Sequence, residues 1–140
     1  MSYTVGDVIA ERTVHLTRES LVRYAGASGD FNPIHYRDDI AAAVGLPGVL
    51  AHGMLTMGLA SSVVMSALPA DTRLVDYGVR FTKPVIVDPD TGADVRVTAK
   101  IGAVDDETAR IDLTVKTLTT DGDAPVETAV LVKAQLRVAV

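Results

Sequence analysis

The stretch Ser28-Gly29-Asp30-Phe31-Asn32-Pro33-Ile34-His35 puts a carboxylate and an imidazole within reach of one another across a stiff connection. Asn-Pro is a turn former, and the proline fixes its own φ while steering Asn32 away from helix. Gly29 frees the backbone just before the acid. The separation of Asp30 and His35 is therefore set by backbone rather than by long flexible side chains. A rigidly held acid/base pair is what proton transfer to and from carbon or water requires. The same residues also read as a capped turn in which Asp30 accepts backbone N–H bonds and His35 lies at the surface. A second stretch, Ala51-His52-Gly53-Met54, opens the most apolar run of the chain. If a helix begins there, it offers unpaired N–H groups and a positive dipole end. Gly53 has no side chain, so an oxygen can approach its N–H closely. An oxyanion site beside an acid/base pair is equipment for chemistry α to a carbonyl.

Several elements must position these groups. Glu11 to Thr17 alternates loosely as a short strand, with Val14 and Leu16 on one side. Thr17 is a plausible N-cap and Glu19 suits the first turn. Leu21, Tyr24, Ala25 and Ser28 then fall at helical spacing until Gly29 stops the helix, so the acid/base turn hangs from a helix C-terminus. Asp38 to Val44 reads as a short Ala-rich helix ended by Gly45. Val49 to Leu68, closed by Pro69, reads as one long helix apolar nearly all round. Its serines, His52 and lack of basic or aromatic flanks favour a buried core helix over a membrane span. From Val75 onward the chain alternates with period two. Val75–Phe81, Ala93–Val104, Ile111–Thr117 and Val126–Val138 are expected as strands of an antiparallel meander. Burial then predicts an α+β fold: a curved antiparallel sheet wrapped around the central long helix, in two layers.

Composition narrows the classes. The 140 residues fit one domain, residues 1–140, with a proper core. Hydrophobic residues make up 48% and charged residues 22%, which excludes a disordered chain, and a 4% aromatic content leaves the core to aliphatic residues. The net charge of −5, with no basic cluster against it, argues against nucleic acid as a partner. The absence of cysteine excludes disulfides, thiolate metal sites and thiol nucleophiles. Met1-Ser2-Tyr3-Thr4 lacks the pattern of a secretory signal, and a cytoplasmic location is expected.

Tyr24 through His35, followed by Ala51 through Gly58, resembles the MaoC-like, (R)-specific enoyl-thioester hydratase/dehydratase group of hotdog-fold proteins. Within that group the chain is similar to the catalytic subunit of the mycobacterial-type (3R)-hydroxyacyl-ACP dehydratase. Tyr77-Gly78-Val79-Arg80-Phe81-Thr82-Lys83-Pro84-Val85 resembles the family's strand after the central helix. The likeness implies a hotdog fold and interconversion of (3R)-hydroxyacyl and trans-2-enoyl thioesters, carried by CoA or acyl carrier protein. It implies Asp30 and His35 as the catalytic pair holding the water that is added or removed. It also implies the Gly53 N–H as the group that polarises the thioester carbonyl, and Ser61 as a supporting hydroxyl. No cofactor and no metal are implied. A dimer is expected, either homodimeric or with a homologous hotdog subunit, and it would close the acyl tunnel and cover strand edges.

Single residues keep plainer readings. His52 is either a third catalytic group or a core or capping histidine that orients the motif, with Asn32 supporting the turn. Asp30, His35 and His52 also read together as a two-His-one-carboxylate iron site, although the same residues have a metal-free account. Ser61 also reads as a small helix-packing residue. Arg73, Arg80, Lys83 and Lys100 are loose candidates for a basic rim facing an acidic carrier. The rival functions are a non-catalytic acyl-binding or stabilising subunit and an acyl thioesterase.

Overall fold

A computed structural model describes residues 3–140. Met1 and Ser2, part of the start examined for a secretory signal, lie outside the described residues. The elements run β1 (Val8–Leu16), α1 (Arg18–Ser28), a 3-10 turn (Pro33–His35), α2 (Asp38–Ala43) and α3 (Gly53–Met65), then β2 (Leu74–Phe81), β3 (Ala93–Val104), β4 (Thr108–Asp121) and β5 (Ala124–Ala139). The five strands form one sheet in the order β1-β3-β4-β5-β2, and every pairing is antiparallel.

The sheet does not wrap around a helix, contrary to the curved, helix-enclosing arrangement expected from burial. It is open: β1 and β2 are its two edges and do not pair with each other. Geometry explains why. Five strands spaced ~4.8 Å apart span about 24 Å. A ring just outside a helix of ~10 Å diameter needs more than about 31 Å. The α3 helix instead lies on one face of the sheet. Rows such as Ile101–Ile111–Leu136 and Ala99–Leu113–Ala134 run across β3, β4 and β5. They pack into one core with Ala60, Val63 and Val64 of α3 and Leu21 of α1.

The central helix is also shorter than the apolar run. Val49 to Ala51 is extended, because these residues find strand-like partners: Ala51 N–H donates to the Val85 carbonyl and Val87 N–H to that of Val49, both at 2.9 Å. Hydrophobicity alone cannot separate a buried extended segment from a buried helix. A second departure lies in β5. Its alternation is interrupted where Lys133 adopts φ 48° and the pairing with β4 and β2 slips. This bulge turns Leu131 inward, and a second slip against β4, between Val115 and Lys116, lets the adjacent Val130 turn inward as well.

The elements that carry the motif form as their residues dictate. Thr17 caps α1 in a reciprocal capping box with Ser20, and Gly29 ends the helix in the left-handed conformation, φ 77°. Arg18 fastens α1 to its surroundings, donating from Nε to the Val87 carbonyl and from both terminal nitrogens to Asp38. Among the described residues no helix is long and apolar enough to cross a membrane.

Candidate functional site

The acid/base turn is built by short-range bonds. Asp30 N–H donates to Ser28 Oγ, Asn32 N–H to Asp30 Oδ1 at 3.2 Å, and Ile34 N–H to Asn32 Oδ1 at 3.3 Å. Asn32 thus starts the 3-10 turn that carries His35, with Pro33 in the first position, where its missing N–H costs nothing.

Long-range bonds then clasp the turn to the segment before α3. Leu50 N–H donates to the Ile34 carbonyl at 3.3 Å. In return the Leu50 carbonyl accepts from His35 Nδ1 at 2.7 Å. A carbonyl only accepts, so Nδ1 carries the proton and Nε2 of the neutral ring carries the lone pair. Nε2 lies 3.9 Å from Asp30 Oδ2. That is too long for a direct hydrogen bond and suits one small oxygen bridging both groups at about 2.8 Å each. The His35 side chain is 8% exposed and the Asp30 side chain 53%. The imidazole is therefore not the surface residue of the capped-turn reading.

His52 joins the two halves. Its ring stacks on His35 with centroids 3.7 Å apart and meets Tyr24 edge-on at 4.8 Å. Its Nε2 donates to the Asp30 carbonyl at 3.1 Å. Burial pushes its pKa below the ordinary value, and nearby His35 pushes the same way; the bond to the Asp30 carbonyl and the Asp30 charge oppose them. His52 occupies the N-cap position of α3, but its side chain does not cap the helix. Gly53 is the first helical residue, so its N–H has no acceptor within the helix. The Phe81 ring lies over it, with atoms 3.0–3.3 Å from where a Cβ would stand.

Beside Gly53 opens a cavity of about 250 Å³, lined among others by Leu50, Thr56, Phe81, Lys83 and Leu131. Neither Asp30 nor His35 lines it, but Leu50, whose carbonyl accepts from His35, does. Ser61 stands apart. It is eight residues further along α3, about 12 Å up the axis from Gly53, and its hydroxyl donates to the Gly58 carbonyl at 2.8 Å. Lys83 reaches the cavity rim, whereas Arg73, Arg80 and Lys100 do not line it. Asp30, His35 and His52 each bring one ligand-type atom within 4.8 Å of the others, the three-residue set noted in the sequence. Leu50, Tyr24 and Phe81 carried no sequence signal as site residues. Leu50 acts through its backbone carbonyl, and the other two matter only through where the fold puts their rings.

The open α+β sheet places an acid/base turn, clasped through Leu50, beside the uncapped start of α3, and comparison with known proteins supplies the family. Residues 3–122 match the MaoC like domain, and the chain belongs to that family. It is 37% identical over 79 residues to a 3-hydroxyacyl-thioester dehydratase X of Mycobacterium tuberculosis, covering 56% of this chain and 27% of that protein. It is 31% identical over 101 residues to an (R)-specific enoyl-CoA hydratase of Rhodospirillum rubrum, covering 71% and 65%. The matches therefore span less than two thirds of these relatives' own length. Among solved structures, the R-hydratase PhaJ1 from Pseudomonas aeruginosa superposes with a TM-score of 0.78 at 27% identity, covering 97% of this chain and 80% of that one.

Proposed function

We propose that this chain is a hydro-lyase interconverting (3R)-hydroxyacyl and trans-2-enoyl thioesters in fatty-acid metabolism, with residues 1–140 as one MaoC-like hotdog domain. The observation that carries this reading is the 3.9 Å gap between Asp30 Oδ2 and His35 Nε2, with the Gly53 N–H free at the adjoining helix start. The relatives' names, a dehydratase and a hydratase, point the same way. Asp30 and His35 are the catalytic residues of this proposal.

The thioester carbonyl oxygen sits on the Gly53 N–H, where the α3 dipole favours negative charge. In dehydration the Asp30/His35 pair takes the Cα proton as an enolate develops on that oxygen. The C–O bond at Cβ then breaks, and the pair returns a proton to the departing hydroxyl as water. Hydration runs the same steps backward, starting from a water held in the gap. His35 Nε2 is the basic position, because Nδ1 is committed to Leu50. The proton transfers of this account use Asp30, His35 Nε2 and the Gly53 N–H, while His35 Nδ1 and His52 Nε2 are committed to backbone carbonyls. Ser61 takes no part in it.

The substrate carrier is CoA or acyl carrier protein, and the working unit is a dimer, with itself or with a homologous hotdog subunit. Three features support the dimer: the half-exposed Asp30, the exposed apolar side chains Phe31, Met54 and Phe81 around the site, and the unpaired β2 edge. The test is to incubate the protein with crotonyl-CoA and follow loss of the enoyl absorbance. Hydration is expected. Absence of turnover at every acyl chain length, alone and with hotdog partners, would overturn the reading. Release of CoA from saturated acyl-CoA would instead identify a thioesterase.

A further inference from the structure

His52 touches every part of the proposed site, yet it has no step in the chemistry. It is 2% exposed. Its Nε2–H holds the carbonyl of Asp30, its ring covers one face of His35, and its own backbone carbonyl receives the Leu55 and Thr56 N–H bonds of the first turn of α3. Its remaining polar atom, Nδ1, is buried and has no hydrogen-bond partner among the described residues. A buried lone pair left without a donor is unfavourable, and a residue chosen only to fill this space would not need it. An apolar ring would stack and pack as well. The atom that an apolar ring cannot supply is the Nε2–H donor. Its acceptor is the backbone of the residue whose carboxylate must stand 3.9 Å from His35.

Among the described residues, no other hydrogen bond ties Asp30 to a residue outside the turn. Its other bonds, to Ser28 and Asn32, lie within the turn itself. Its side chain is half exposed. His35, in contrast, is fastened directly to Leu50. Among the described residues, the direct long-range hydrogen bond to Asp30 is thus the one from the imidazole that also begins the oxyanion helix.

We propose that His52 is a positioning residue whose Nε2–H tethers the Asp30 backbone to the start of α3 and so fixes the spacing of the Asp30/His35 pair. The catalytic side of this inference rests on the hydratase reading. The tether itself does not, and can be read without substrate.

Two substitutions separate donor from ring. His52→Gln keeps an N–H near the Nε2 position and loses the ring. His52→Phe keeps the ring and loses the donor; His52→Leu, a smaller change, removes the same donor should Phe not fold. Hydrogen exchange at the Asn32 and Ile34 amides reports the turn directly. It is expected to quicken by about tenfold or more in H52F, or in H52L in its place, and to stay within about threefold of wild type in H52Q. With crotonyl-CoA, the Phe or Leu variant is expected to lose about 10²-fold in kcat with KM nearly unchanged, and Gln to restore most of it. The tether is overturned if exchange in the donor-less variant matches wild type. It is also overturned if Gln and Phe lose protection equally, in step with Tm. If exchange responds but kcat does not, the positioning role fails while the tether stands. If the wild type itself is inactive, the exchange result still decides the tether, and only the hydratase reading falls.

Discussion

Replacing Asp30 by Asn changes charge and little else. The amide oxygen can still accept from Asn32 N–H, and the side chain is half exposed, so folding should be nearly untouched. The cost falls on the chemistry. When the reaction places a proton on His35 Nε2, that charge sits 3.9 Å from the Asp30 carboxylate. At this distance the attraction is about 4 kcal/mol for an effective dielectric of ~20 and about 1 kcal/mol for one near 80. A half-exposed carboxylate lies between these limits. Electrostatic loss alone then slows the step by one to three powers of ten, at ~1.4 kcal/mol per decade. Loss of a positioned proton acceptor gives ~10²–10⁴. D30N is therefore expected to lower kcat for crotonyl-CoA hydration by ~10²–10⁴ with Tm within a few degrees of wild type. The assay is the initial rate of enoyl absorbance loss, paired with a thermal melt of the same preparation. A folded D30N protein with near wild-type kcat would refute the pairing of Asp30 with His35.

Gly53→Pro removes the proposed oxyanion N–H at a helix position that accepts proline, and His52 already holds φ −57° and ψ 132°, a conformation suited to precede it. Expected is a fall of ~10²–10³ in kcat with a folded protein by circular dichroism, the Phe81 ring swinging aside. Because burial lowers the His52 pKa from 6.5, the unfolded chain binds more protons than the folded one just below that pH. Stability should therefore be fully present above about pH 6.5 and decline as pH falls through the folded value. Urea midpoints against pH should show this decline, and it should flatten in H52Q. Leu21→Ala empties a site that is 1% exposed and should cost ~2–5 kcal/mol by urea denaturation, without a specific loss of kcat. Sedimentation at micromolar concentration should give a dimer of the chain, or of the chain with a co-expressed hotdog partner; a stable, active monomer would contradict the assembly proposed here.

Much of this molecule is written in local sequence. Thr17 and Gly29 bound α1 because capping and left-handed termination depend on a few adjacent residues. The Asp30–His35 turn forms from its own Asn-Pro and short polar side chains, and β3 spans Ala93–Val104 as its period-two alternation predicts. The residue types of Asp30, His35 and Gly53, and their places in the turn and at the helix start, are local facts of the same kind.

What depended on distant pairing was not legible. Val49–Ala51 is as apolar as the helix that follows, and only Val85–Val87, more than thirty residues away, makes it extended. The inward turn of Leu131 comes from the bulge at Lys133, which alternation cannot register because it is a slip against β4 and β2. The open sheet follows from strand number and order, quantities that no strand carries by itself. At the site, the tertiary structure decided the tautomer of His35, through a Leu50 carbonyl that every residue type possesses. It also decided that His52 bonds the Asp30 backbone instead of capping α3. Side-chain identity is local and can be read from sequence, whereas the partner of a buried donor is chosen by the whole fold.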